Sequence, residues 1–152
     1  MAGYSIREVV EMAVQTEKKG YDFYTEMAAR FKDNDQIHEL FSKLANREKV
    51  HEKTFADLLG AIGDEEPEGW EEASKYMRAI VESAFFLGRD KATAHMQELT
   101  DYRQAVGMAL AFEKETLLYF YGIRSLVKEK EVVDEIINEE QSHIQWLTIF
   151  RK

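Results

Sequence analysis

At 152 residues and 17.7 kDa the chain can bury a core without disulfides or a structural zinc, and a single domain over residues 1–152 is the expectation. The absence of cysteine excludes iron–sulfur clusters, a rubredoxin-type iron site, thiol catalysis and disulfides, so any metal must sit on oxygen and nitrogen ligands. A formal charge of −9 argues against a nucleic-acid or anionic-membrane partner, and no apolar run resembles a membrane span or a signal peptide, so a cytoplasmic protein is expected.

Pro67 is the only proline and no alternating pattern lasts beyond a few residues, which predicts an almost wholly helical chain. The first helical stripe runs Ile6, Val10, Ala13, Glu17, Gly20, Tyr24, Met27 and Phe31. Asp33-Asn34-Asp35 then supplies turn and N-cap chemistry, so a tight antiparallel hairpin leads into the second stripe, Ile37, Phe41, Leu44, Glu48, His51, Phe55 and Leu58. A connection from about Gly60 to Thr100 opens with glycines, an acidic run and Pro67; it is long enough to return along helices of roughly 38 Å. Tyr76, Ile80, Ala84 and Leu87 predict a helix within it. The third stripe is Val106, Ala109, Glu113, Thr116, Phe120 and Ile123, the join near Leu126 to Glu131 has no clean cap, and the fourth stripe is Val133, Ile136, Glu140, His143, Leu147 and Phe150. The expected fold is all-α: a four-helix bundle of two antiparallel hairpins joined by a long, partly helical crossover.

Each stripe carries a Glu near its middle, and the second and fourth carry Glu-x-x-His, as Glu48-Lys49-Val50-His51 and Glu140-Gln141-Ser142-His143. A Glu and a His three apart share a helix face and can reach one metal from the same side. In an antiparallel hairpin, residues level with each other are equidistant from the turn. Glu17 and Glu48 centre on position 32.5 and Glu113 and Glu140 on 126.5, both at the proposed turns, so each pair of carboxylates lies at one height. A single inward acid is ordinarily bonded to a Tyr or Arg or sits at a stripe's edge. Four at the stripe centres, two of them with a His at ligand spacing, predict a shared dimetal site of Glu17, Glu48, His51, Glu113, Glu140 and His143. Four carboxylates and two neutral imidazoles balance two divalent ions, and a bridging oxide or hydroxide would absorb the charge added by oxidation. The ligand set suits iron or manganese better than zinc, without choosing between the first two.

Other residues rank below these six. Glu139 is the alternative to Glu140 but falls off the fourth stripe, and Glu52 reads as solvated. Tyr24 and Tyr119 lie near the ligand level and either donate to the carboxylates, carry an oxidising equivalent, or fill the core with their hydroxyls satisfied elsewhere, the last being preferred. His38 and His95 have no partner spacing and read as surface or capping residues.

Glu17 with Phe23-Tyr24 and Glu113 with Tyr119-Phe120 repeat at an offset of 96, and the Glu-x-x-His pairs at 92, so the hairpins look like related halves. This combined pattern, covering essentially the whole chain, resembles the diiron domain of the rubrerythrin branch of the ferritin-like superfamily. The resemblance implies a carboxylate-bridged diiron centre that reacts with hydrogen peroxide or dioxygen. Glu48 and Glu140 would bridge, Glu17 and His51 would complete one iron, and Glu113 and His143 the other; it names no catalytic residue beyond this centre. Two departures stand out: these 152 residues include no Cys-rich rubredoxin segment, so electrons are expected from a separate donor protein. In addition Thr116 and Leu110 stand three residues from Glu113, where rubrerythrins have a seventh carboxylate used in ligand exchange. The expected function is therefore a diiron oxidoreductase in peroxide defence, acting as a homodimer. The alternatives are a ferroxidase or iron-handling protein, which would need a large closed oligomer, and a metal-stabilised interaction domain without turnover.

Overall fold

The computed structural model describes residues 4–83 and 99–151, which form five helices and no strand. They are α1 (Ile6–Arg30), α2 (Asp35–Ala61), α3 (Trp70–Ser83), α4 (Tyr102–Arg124) and α5 (Lys130–Ile149). Local chemistry fixes where they start. Ser5 and Glu8 form a reciprocal capping box at α1, and Asp101 and Gln104 form another at α4. At α2 the cap is the middle residue of the acidic turn: Asn34 Oδ1 accepts from the Ile37 N–H at 3.2 Å.

The first turn, residues 31–34, is centred on the midpoint between Glu17 and Glu48, as the hairpin register requires. His38, exposed at the start of α2, contacts the Ala28 carbonyl at 2.7 Å, so it serves the end of α1 as a capping residue. The second turn is closed differently. Glu129 provides no side-chain cap for α5; instead Lys130 Nζ reaches back to the carbonyls of Arg124 and Val127 at 2.7 and 3.1 Å, and Arg124 pairs with Asp134. The Lys130 contact with Arg124 satisfies a carbonyl that the end of α4 leaves without an intrahelical partner.

The crossover contains α3, preceded by Gly69 in the left-handed region at φ 76°. Trp70 Nε1 and Ser74 Oγ both donate to the Tyr4 carbonyl and tie α3 to the start of the chain. The buried face of α3 is Met77, Ile80 and Val81, whereas Tyr76 is more than half exposed, so the expected stripe is rotated by about one position. Ala84, Leu87 and His95 lie outside the described residues. The helix packs on α4 at Gly122, where a Cβ would come within 2.4 Å of Met77 Sδ.

α1 packs along α2 and α4 along α5, with α1 also meeting α4 and α2 meeting α5. The interior divides into two apolar clusters. One gathers Val10, Ala13, Phe55, Phe120, Ile123, Val133 and Ile136 with the buried face of α3; the other gathers Phe23, Met27, Phe41, Leu44, Ala109, Phe112 and Leu147. On every bundle helix the predicted ligands fall in the gap between the two clusters. No described helix is long and apolar enough to cross a membrane.

The Asn34 cap is a local test of this register. Asn34→Ala should lower the unfolding free energy by about 1 kcal/mol in chemical denaturation, and Asn34→Asp, which keeps the acceptor, by much less. Equal stability of all three proteins would show that the hydrogen bond does not hold the turn.

Candidate metal centre

Glu17 comes from α1, Glu48 and His51 from α2, Glu113 from α4, and Glu140 and His143 from α5. All six are buried to within 1% of full exclusion from solvent. They form two overlapping groups, Glu17, Glu48, His51 and Glu140, then Glu48, Glu113, Glu140 and His143; within each, one ligand atom per residue lies within 4.8 Å of the others. The shared members are Glu48 and Glu140, the two expected to bridge. His51 Nδ1 is 3.1 Å from Glu140 Oε1 and 3.8 Å from Glu17 Oε2. His143 Nδ1 is 3.5 Å from Glu113 Oε1 and 3.7 Å from Glu140 Oε2. The imidazoles stack, with centroids 5.8 Å apart and planes inclined by 19°.

The donor set fits a pair of cations. Of the eight carboxylate oxygens, both on Glu17, both on Glu48 and one each on Glu113 and Glu140 have no hydrogen-bond partner within the protein, nor has either nitrogen of His143. A buried carboxylate in that condition costs several kcal/mol unless a counter-charge meets it. Burial pushes the Glu17 carboxyl well above the usual carboxylate range, and the negative charges of Glu140, Glu52 and Glu139 add to the effect. Burial acts in the same direction on Glu140, but the imidazoles of His143 and His51 outweigh it and hold that group below the usual range. Oxygen-rich ligation with two imidazoles is a metal-binding chemistry, and divalent ions would give every orphaned oxygen a partner.

The two tyrosines part company. Tyr24 O–H donates to Glu113 Oε1 at 2.5 Å, whereas Tyr119 O–H donates to the Val9 carbonyl at 2.5 Å. The preferred core-filling role therefore describes Tyr119, while Tyr24 is buried and also orients a predicted ligand. Burial, reinforced by Glu140 and Glu17, raises the Tyr24 hydroxyl well above its ordinary range, so it stays a donor. Thr116 is buried three residues beyond Glu113, and neither group of candidate ligands includes a seventh carboxylate. Glu139 is outside both groups; its carboxylate lies 2.7 Å from the outer nitrogen of His51. Glu52 is partly buried rather than fully solvated, 4.0 Å from Lys49.

Gly20 lies on the first stripe, but patterning does not reveal how closely the candidate ligand Glu48 approaches it. A Cβ there would stand 3.0 Å from Glu48 Cδ and Oε2 and 2.9 Å from a ring carbon of Phe112, so the missing side chain makes room for a shared carboxylate. Its signal is a glycine one turn beyond Glu17 inside a helix, a place where glycine costs about 1 kcal/mol relative to alanine.

Gly20→Ala should preserve or raise helicity yet displace Glu48, and metal titration should show fewer than two tightly bound ions per chain. Two ions bound with unchanged affinity would contradict this use of Gly20. Tyr24→Phe leaves Glu113 Oε1 without its donor and should weaken binding several-fold while the circular dichroism stays the same; unchanged affinity would remove Tyr24 from the site.

A search of curated proteins gives no significant match. Among solved structures, a Thermotoga maritima protein described as a candidate ferritin-like diiron-carboxylate protein superposes with a TM-score of 0.75 at 21% identity, over 99% of this chain and 97% of that one, a likeness of fold. The rubrerythrin family model matches residues 8–150, which takes in all six clustered residues, and the chain belongs to the rubrerythrin family.

Proposed function

We propose that the chain is a diiron-carboxylate oxidoreductase that reduces hydrogen peroxide or dioxygen with electrons from a separate donor protein. The observation that carries the reading is the pair of overlapping ligand groups sharing Glu48 and Glu140. Two ferrous ions, if held by these six residues, would supply one electron each, which with two protons would take one hydrogen peroxide to two waters. Iron is the metal proposed, since four carboxylates and two imidazoles suit it and no thiolate is present.

The protein's own part is to hold and shield. Glu48 and Glu140 would set the spacing of the two ions, Glu17 with His51 would complete one, and Glu113 with His143 the other. Tyr24 keeps its proton and steadies Glu113 by donating to it. Phe23, Phe41 and Phe112 on one side and Phe55 and Phe120 on the other are fully buried, which keeps bulk water away from both ends of the site. With all six ligands inside, only a small oxidant could reach the centre without rearrangement.

Protein purified without added metal should contain about two equivalents of iron, and its reduced form should develop new visible absorption on adding peroxide. Glu48→Ala and Glu140→Ala should abolish that response while remaining helical. Stoichiometric zinc with no optical response, or a full response in either variant, would overturn the proposal and favour a centre that only braces the bundle.

A further inference from the structure

The two halves of the centre are not equivalent outside the ligands. His51 Nδ1 sits among the carboxylates, and its other nitrogen, Nε2, lies 2.7 Å from Glu139 Oε2. The second oxygen of Glu139 is 2.5 Å from Arg47 Nη2. An ionised carboxylate only accepts, so Nε2 carries the hydrogen in this pair and, in the neutral ring, Nδ1 presents its lone pair to the site. His143 has no such support. Neither of its nitrogens has a hydrogen-bond partner in the protein, and its ring packs against Trp146, centroids 5.1 Å apart, with Lys43 Nζ 3.7 Å above the indole.

The internal repeat explains the difference. Glu139 precedes Glu140 as Arg47 precedes Glu48, at the same offset of 92. By the symmetry of the halves, position 47 stands to His143 as position 139 stands to His51. A glutamate can accept from an imidazole N–H; an arginine has no acceptor. Arg47 turns instead to Glu139 and holds it, so the pair serves one histidine and leaves the other without a partner.

We propose that Glu139, held by Arg47, is a positioning residue for His51 and makes the Glu17 and His51 half the tighter of two unequal metal positions. The proposal rests on the dimetal reading of the six ligands. A carboxylate on the outer N–H fixes the ring's tautomer and orientation and raises its basicity, and loss of such a partner typically weakens metal binding by about 10–100-fold. Glu139 and Arg47 are each about one-third exposed in their side chains, so both can be replaced with little disturbance of the core.

Anaerobic titration of the metal-free protein with cobalt(II), followed by calorimetry and by proton NMR, tests this. The wild type should bind two cobalt ions in unequal steps and show a slowly exchanging, paramagnetically shifted N–H from His51. Glu139→Ala should weaken the tighter step about 10–100-fold, spare the weaker step and speed the exchange of that proton. Glu139→Gln, whose amide oxygen still accepts, should recover the signal and most of the affinity. If the wild type takes two ions but Glu139→Ala leaves both steps unchanged, or weakens both equally as a general loss of packing would, the positioning role is wrong. A wild type that takes no cobalt at these ligands would remove the dimetal centre itself, and the proposal with it.

Discussion

Four carboxylates drawn together in the dry middle of a helical bundle repel one another and have lost their water, and that unfavourable cluster is the constraint on which the rest of the molecule is arranged. Burial and neighbouring charges drive the Glu17 carboxyl towards its protonated form, while the two imidazoles keep Glu140 ionised. Such a layer persists only if the helices hold it firmly from both sides. The two apolar clusters do so, each built from all four bundle helices and each ending where the ligands begin.

The surrounding devices become intelligible as consequences of that layer. Gly20 lets Glu48 approach α1, and Tyr24 occupies one oxygen of Glu113 that would otherwise have no donor. The remaining buried oxygens have no hydrogen-bond partner, and cations held by the clustered residues would neutralise them. The chain belongs to the rubrerythrin family, and Thr116 rather than a carboxylate stands one turn beyond Glu113.

Much of the site was legible in the order of residues, because a helix turns side-chain spacing into side-chain direction. The stripes placed Glu17, Glu48, Glu113 and Glu140 inward, and the hairpin midpoints set them at one level. Spacing was weaker where one position changes the direction by about 100°. Under the 96-residue offset Tyr24 corresponds to Phe120, and Tyr119 to Phe23, so the two hydroxyls occupy different registers and reach different acceptors. Tyr76 failed for the same reason: the face that α3 buries is set by its contact with α4 at Gly122, which no spacing within the crossover records. Glu139 fell off the fourth stripe, and its contact with His51 crosses between α2 and α5 and has no signature in either helix alone.

Glu48 and Glu140 are each placed to serve two metal positions at once. Anomalous diffraction from crystals of the iron-loaded protein, measured on both sides of the iron absorption edge, tests this most directly. Two iron peaks about 3.5–4 Å apart are expected, each flanked by both Glu48 and Glu140. A single peak inside the bundle, or iron bound only at surface carboxylates, would contradict it.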